Sequence, residues 1–207
     1  INVNNNKCIH LFEYSNNNDI NFNIKYNLDM ASSLIISKFY YNNKCNEVVN
    51  ISLNKRGANI KYNFSSISNN DNFYKINVYH LDNNTSSDVF NRIVAKENSS
   101  NYFDINSYVD NGIKDCYLNQ STKIVTLGDS DNRVNPNMFI SEEDVTAIHS
   151  STIGSINEED LFYLMSRGIS YNDSVKLIIK GMILSNINPD MENMERILSI
   201  LDSIGGE

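Results

Sequence analysis

Short segments of alternating apolar and polar residues fill the chain from residue 7 to about residue 149. Tyr, Ile, Val and Phe supply most of the apolar positions, and clusters of Asn, Asp, Ser and Gly separate the segments. Period-two alternation of this kind predicts β-strands joined by polar turns. The predicted strands span 8–13, 48–53, 60–64, 73–81, 89–95, 102–108, 113–118, 123–127, 137–140 and 145–149.

The spacing of these strands, about ten residues, is typical of a sandwich, a barrel or a solenoid. Asn111-Gly112 is the one dipeptide that suits a tight hairpin between antiparallel strands. A parallel β-helix also fits, because its stacked turns accommodate polar corners and Asn ladders. No exact repeat is visible, so the pattern leaves all three architectures open.

After Gly154 the spacing of apolar residues changes from every second residue to the three-to-four-residue spacing that is typical of helices. Asn157 is expected to cap a first helix that has an acidic first turn, and Gly168 suits the position just after its end. Ser170 and Asp173 form a capping-box pattern at the start of a second helix. These signals predict a helical tail on the β-region.

A third helix is predicted to begin at Asn188-Pro189 and to end at Gly205-Gly206. The second helix is apolar around most of its circumference, so it has to be buried. The sequence leaves open whether this chain or another protein covers it.

The chain has 207 residues, a net charge of −8 and a pI near 4.9. An acidic chain without a basic stripe repels phosphate backbones, which argues against nucleic-acid binding. The abundance of Asn is attributed to an AT-rich genome. Cys8, Cys45 and Cys116 are far apart and are expected to be reduced thiols. Neither a bilayer-length apolar run nor a secretory leader is present, so we expect an intracellular protein without membrane contact.

Motifs for nucleotide hydrolysis, dinucleotide binding, zinc proteolysis and serine esterases are absent from the sequence. His10 and His80 are expected to be structural or exposed. His149 ends a predicted strand, where it is either a packed residue or a metal ligand or proton carrier. Cys116 lies on an earlier strand, and a Cys–His pair across stacked strands is a further hypothesis.

The stretch from residue 142 to residue 182 resembles the SufD branch of the SufB/SufD family of iron–sulfur cluster assembly scaffolds. The resemblance rests on E-E-D-V at 142–145, H-S-S-T-I-G at 149–154, E-E-D at 158–160 and L-F-Y-L-M-S-R-G-I at 161–169. It is strong over about the last eighty residues and diffuse before them.

The resemblance implies a mostly β fold, with a right-handed parallel β-helix core over 1–153 and a helical segment over 154–207. It implies a non-enzymatic scaffold subunit of the SUF iron–sulfur cluster assembly complex in the cytoplasm or a plastid-type stroma. The β-helix would pair with a SufB/SufD-type paralogue or a second copy as a dimer, and the helices would dock a SufC-type ATPase. No cofactor would be bound stably, although a transient iron–sulfur cluster would form at the subunit interface. The residues assigned to partner binding are Leu161, Phe162, Tyr163, Ser166, Arg167, Gly168, Ile178 and Met182.

His149 falls on the SufD histidine that takes part in cluster assembly. The SufB branch has His-Glu at this point and a Cys about thirty residues earlier. Here Ser150 replaces that Glu, and the Cys position falls near Ser130 or Asp131, so the resemblance favours a SufD-like role. Cys116 is the alternative thiol, and it and His149 are the candidate metal ligands. The long N-terminal helical segment of typical members is missing, so a compact homologue or a core fragment is expected.

Two other functions fit a β-solenoid. One is an enzyme that acts on polysaccharide through paired carboxylates, for which Asp129, Asp131 and Glu142 are the candidates. The other is a purely structural interaction module in which His149 is an ordinary packed residue.

Overall fold

The computed structural model describes residues 1–204. Within this range the chain forms a long run of strands followed by helices. The strands are β1 (Asn2–Val3), β2 (Cys8–Asn16), β3 (Asp19–Leu28), β4 (Ser33–Tyr41), β5 (Lys44–Leu53), β6 (Asn59–Ser68), β7 (Asp71–His80), β8 (Ser86–Lys96), β9 (Ser100–Val109), β10 (Cys116–Leu127), β11 (Asp131–Ile140) and β12 (Val145–Gly154). The helices are α1 (Glu158–Ser166), α2 (Tyr171–Leu184) and α3 (Met191–Ser203).

Successive strands alternate between two six-stranded sheets, and every strand pair in the described range is parallel. Sheet A has the order β1-β3-β5-β7-β9-β11, and sheet B has the order β12-β10-β8-β6-β4-β2. The chain is therefore a β-solenoid, the parallel β-helix that the resemblance implied, and neither an antiparallel sandwich nor a barrel.

The length of one turn of the solenoid varies along the chain. Ser33 lies beside Cys8, an offset of 25 residues, whereas Tyr117 lies beside Ser86, an offset of 31 residues. Because turns of different length are inserted at the corners, the sequence carries no exact repeat.

Several strand predictions were wrong in extent. Strands β1, β3 and β4 were missed, although apolar and polar residues alternate clearly along β3. The segments 113–118 and 123–127 belong to one strand, β10, and 137–140 is the end of β11. Asn111-Gly112 makes a turn between the two sheets, with Gly112 at φ +86°, and does not make a hairpin.

Ladders of identical or similar side chains run along the outer face of sheet A. Each Asn of one ladder donates an Nδ2 hydrogen bond to the Oδ1 of the Asn one turn before, over distances of 2.9 to 3.4 Å. Beside it, the rings of Tyr79, Tyr108 and Phe139 stack at 4.8 and 4.9 Å. The Asn ladder consists of Asn23, Asn50, Asn77, Asn106 and Asn137. These five Asn residues thus have a structural role in the solenoid.

The helical tail packs on the outer face of sheet B. Buried residues of α2 and α3 form one cluster with strand residues that include Phe39, Ile67 and Val94. Most of the apolar surface of α2 is therefore covered by this chain. Helix α1 differs, because none of its residues is buried.

The caps of α1 and α2 are the predicted ones, since Asn157 and Ser170 accept hydrogen bonds from the first-turn amides. The start of α3 was predicted wrongly. Its N-cap is Asp190, whose carboxylate accepts from the amide of Asn193, so the helix begins two residues beyond Asn188-Pro189. The predicted end of this helix, at Gly205-Gly206, lies outside the described residues.

Candidate functional site

The C-terminal end of the solenoid is open. Strands β11 and β12 each pair with one neighbour, and within residues 1–204 no strand pairs with their other edges. After Val145 every residue of β12 is exposed, Ile148 and Ile153 among them at 48% and 46%. The last turn thus presents unpaired backbone groups and apolar side chains together, which is a template for adding another strand.

His149 lies on this open end, in the middle of β12 and not at its end. It sits beside Gln120 of β10 in the strand register. The side chain of Gln120 points into the solenoid and is 1% exposed, and strand alternation puts the imidazole on the same side of the sheet. His149 is exposed because no further turn covers it. The packed-residue interpretation of His149 is therefore wrong for this chain.

Gln120 is a residue that sequence reasoning missed. Its Nε2 donates to Ser107 Oγ at 2.8 Å and to the Asn137 carbonyl at 3.2 Å, so it links the two sheets beneath His149. Its Oε1 is buried without a hydrogen-bond partner in the described chain. No local pattern marks this glutamine, because its place depends on the register between β10 and β12.

Cys116 lies at the start of β10, beside Val145. His149 is four residues farther along β12, which separates the two backbones by roughly 13 Å along the strand. The thiol is 2% exposed and is 3.2 Å from the Thr85 hydroxyl. The structure therefore does not bring Cys116 and His149 together as one site. In residues 1–204 no group of three or more His, Cys, Asp or Glu side chains is placed to hold a metal ion.

The predicted partner-binding residues fall into two groups in space. The first lies on an exposed helical face, which we define as the predicted residues Phe162 and Tyr163 together with Met165 of α1 and Leu177 of α2, two residues that the sequence analysis did not assign to partner binding. Phe162 is the most exposed of these, at 76%. Ser166, Arg167 and Gly168 are also exposed, and the Arg167 guanidinium lies 5.4 Å from the centre of the Tyr163 ring.

The second group lines a groove between the helices and the ends of β10 and β12. Ile178 and Met182 form one wall of this groove, whose volume is about 240 Å³, and Ile153 and Gly154 form another. Leu161, Ile178 and Met182 are partly buried against the core of their own chain. Of the residues assigned to partner binding, Leu161, Ile178 and Met182 are thus partly covered by their own chain, and the other five are exposed.

Comparison with known proteins identifies the family of this chain. The family described as "SUF system FeS cluster assembly, SufBD core domain" matches residues 13–182 of the 207. The chain belongs to the SufB/SufD family. The match includes most of the solenoid as well as α1 and most of α2, so the SufBD core is the part of the fold described above.

Individual relatives agree with this assignment. The chain is 30% identical to the iron–sulfur cluster assembly protein SufD of Bacillus subtilis over 96 residues, which are 46% of this chain and 22% of that protein. It is 43% identical to SufD of Escherichia coli over 44 residues, 21% of this chain and 10% of the relative. It is 25% identical to the SufBD family protein ycf24 of Galdieria sulphuraria over 130 residues, 60% of this chain and 59% of the relative. The chain thus spans well under two thirds of the SufD proteins that it matches.

Asp131 and Glu142, two of the three carboxylates considered for a polysaccharide-acting enzyme, do not form a pair. Asp131 begins β11 and Glu142 follows its end, so a whole strand of roughly 30 Å separates them. Glycosidic carboxylates act within roughly 5–10 Å of each other. Asp131 is paired with Arg133, and Glu142 accepts from the amide of Gly112. The geometry therefore removes Asp131 and Glu142 as a catalytic pair, whereas Asp129 and Asp131 line one depression.

Two further candidates of this SufB/SufD member, His80 and Cys45, are buried in the fold. His80 is 1% exposed, and its ring nitrogens bond to Thr85 Oγ1 at 2.8 Å and Ser87 Oγ at 2.9 Å. Burial lowers the pKa of His80 to about 4. Burial likewise raises the pKa of the Cys45 thiol to about 12, so this thiol is a poor nucleophile. His10 and Cys8 are exposed on β2.

A buried ion cluster inside the first turns was also missed from the sequence. Lys38 is fully buried, is paired with Glu47, and lies 3.2 Å from Glu13. Burial raises the pKa of Glu47 despite the neighbouring ammonium group. The cluster is enclosed by tyrosines, of which Tyr40 donates to Glu13.

In the described part of the chain, no helix has both the length and the apolar character needed to span a bilayer.

Proposed function

We propose that this chain is a non-catalytic scaffold subunit of the SUF iron–sulfur cluster assembly system, with a role like that of SufD. It docks a SufC-type ATPase through its C-terminal helices and pairs with a second SufB/SufD-type subunit through the open end of the solenoid. The cluster is cargo that forms at that junction. The compartment is a cytoplasm or a plastid-type stroma.

One observation carries the proposal for docking. The family signature at 161–169 folds into a helix that contributes no buried residue to its own chain, yet carries Phe162, Tyr163 and Met165 on its surface. Exposed aromatic and methionine side chains close together on one helix are typical of protein interfaces. Neither the core of the chain nor an active site accounts for them.

The open end supports the proposal for pairing. Two parallel sheets end there in strands with free edges, so a second subunit could extend both of them by main-chain hydrogen bonds. His149 stands on one of these strands and faces the space that such a partner would close. Because residues 1–204 place no group of three or more His, Cys, Asp or Glu side chains to hold a metal ion, further ligands would come from the partner or the arriving cluster.

Docking is tested by binding of the purified chain to its cognate SufC-type ATPase, measured by isothermal titration calorimetry. Phe162→Glu places a charge in the exposed helical face and should weaken binding at least tenfold, as expected for a central aromatic anchor. Met191→Glu is the matched control, because Met191 is 83% exposed on α3, outside the signature. Equal affinities for Phe162→Glu and the wild type would refute docking through this face.

A further inference from the structure

A basic depression lies on the outer face of sheet B, away from the open end and the exposed helical face. Lys61 of β6 and Arg92 of β8 line it, and within residues 1–204 neither forms an ion pair with a carboxylate. Asp88 lies beside Lys61 in the register, but its Oδ1 accepts from Asn119. Two cations without an ion pair in one depression need an explanation in a chain of net charge −8.

The two cations converge on one aromatic ring. Lys61 Nζ lies 6.0 Å from the centre of the Phe90 ring, and Arg92 Cζ lies 5.8 Å from it. Like charges held against the same ring repel each other, and an anion between them would remove that repulsion. The depression has a volume of about 210 Å³, enough for a small oxyanion and its water.

Hydrogen bonds fix the position of the Arg92 guanidinium, and they use only some of its N–H donors. Its Nη1 donates to the carbonyl oxygens of Asn91 at 2.8 Å and Ser121 at 3.1 Å, and its Nη2 donates to Ser121 Oγ at 3.3 Å. A guanidinium has five N–H groups, so two remain for a ligand after these three bonds. A fixed, half-buried guanidinium with free donors is a preorganised oxyanion binder.

Asn63 supplies an independent sign of a missing ligand. It is 7% exposed, lines the same depression, and has a buried Oδ1 without a hydrogen-bond partner. A half-turn of this amide would present Nδ2 to an anion, since the two orientations have nearly the same shape. Buried polar groups are rarely left without a partner in native proteins.

We propose that Lys61, Asn63 and Arg92 form a binding site for a small oxyanion with phosphate or carboxylate chemistry. The site lies at the junction of sheet and tail. Asn186, just beyond α2, lines it too and donates to the Phe64 carbonyl at 2.9 Å and to Ser65 Oγ at 3.0 Å. Occupancy is therefore expected to stabilise the seating of α2 on sheet B. This proposal does not depend on the proposed scaffold role.

The test is a titration of the whole chain with inorganic phosphate and, separately, with acetate, at constant ionic strength, followed by calorimetry and by the NMR signal of Arg92 Nε–H. We expect saturable binding of at least one of the two ions. Arg92→Gln and Lys61→Gln should each weaken it roughly tenfold, because each removes a charge-assisted contact. Tighter phosphate binding indicates a phosphorylated ligand, and tighter acetate binding indicates a carboxylate.

Lys25→Gln is the matched control, because Lys25 is an exposed lysine on the opposite sheet. Lys61→Gln keeps the test decisive if Arg92→Gln disturbs the fold, since Lys61 makes no hydrogen bond that anchors the described chain. The proposal is overturned if neither ion binds saturably, or if Lys25→Gln weakens binding as much as Lys61→Gln does.

Discussion

At the scale of single residues, contacts between side chains that lie one turn apart stabilise this solenoid. Parallel in-register strands bring identical residues within hydrogen-bonding distance, which lets a carboxamide bond to the carboxamides before and after it. Asn77 in the middle of the Asn ladder is 5% exposed and bonds on both sides, whereas Asn23 at its end is exposed and bonds once, at 3.4 Å.

Asn77→Ala should therefore lower the free energy of unfolding by about 1–3 kcal/mol, because it leaves Asn106 Nδ2 and Asn50 Oδ1 without partners. Asn23→Ala, the matched control, should cost less than about 0.5 kcal/mol, as is usual at exposed sites. Urea unfolding followed by circular dichroism measures both values. If Asn77→Ala lowered the free energy of unfolding as little as Asn23→Ala, the hydrogen bonds of the ladder would add nothing to stability.

His80 makes stability depend on pH. Its pKa is about 4 in the folded chain, because of burial, and about 6.5 in the unfolded chain. Between these values the unfolded chain binds more protons, so the contribution of His80 to stability is complete above pH 6.5 and falls as the pH drops toward 4. The total loss from this group is about 3 kcal/mol at most.

His80→Gln should remove that part of the pH dependence, since the amide is neutral and can still bond to Thr85 and Ser87. The measurement is the free energy of unfolding in urea at pH 7 and at pH 4.5 for both proteins. The wild type should lose about 2–3 kcal/mol more than the variant over this interval. Parallel pH profiles would contradict the account of His80.

At the scale of elements, α1 stands apart from the rest of the fold. Helices in proteins are usually stabilised by burying an apolar face, but α1 has no buried residue and depends on its cap and its neighbour α2. Asn157 Oδ1 accepts from the amides of Glu159 at 2.7 Å and Asp160 at 3.4 Å. A docking element of this kind is expected to open locally more readily than the strands.

Asn157→Ala should destabilise α1 by about 1 kcal/mol and leave the solenoid unchanged. Amide hydrogen exchange over 158–166 should become roughly fivefold faster, while exchange in the inner strands stays at the wild-type rate. Asn157→Ser, which keeps a capping oxygen, is the control and should resemble the wild type. Faster exchange throughout the strands would mean that α1 is part of the cooperative core.

At the scale of the whole molecule, the stabilising strands, the exposed helix α1 and the open end with His149 are three different parts of the structure. The inner strands supply stability. The helical tail covers part of the outer face of sheet B and presents α1, and the last turn, which carries His149, is open within residues 1–204. The exposure of β12 on both faces is costly for an isolated chain, because about half of the surface of Ile148 and Ile153 remains in water. A second SufB/SufD-type subunit on this end would remove that cost.

His149→Ala should therefore separate chemistry from assembly. We expect the variant to pair with the second subunit as the wild type does, measured by sedimentation, because the main-chain edges are unchanged. Anaerobic reconstitution with the ATPase, iron and sulfide should yield several-fold less cluster by visible absorption. Undiminished cluster formation in a correctly paired complex would rule out a chemical role for His149.

Much of this could be predicted from the sequence, because it is encoded locally. Alternation of apolar residues indicated the β-rich core, and the signals at Asn157, Gly168 and Ser170 indicated both ends of α1 and the start of α2. The residue string around His149 identified the family. Even β3 was readable, since Ile20, Phe22, Ile24, Tyr26 and Leu28 alternate without interruption.

The tertiary structure decided what depends on register and packing. Turns of 25 to 31 residues leave no local signal of which residues stack, so the Asn ladder, the place of Gln120 under His149 and the distance between Cys116 and His149 became visible only in the folded chain. The sequence also did not determine which parts of the helical tail would be buried. Helix α2 is apolar around most of its circumference and packs on sheet B, whereas α1 remains exposed. The local sequence determines whether a segment forms a strand or a helix. Long-range contacts determine which other part of the molecule each face of that element packs against.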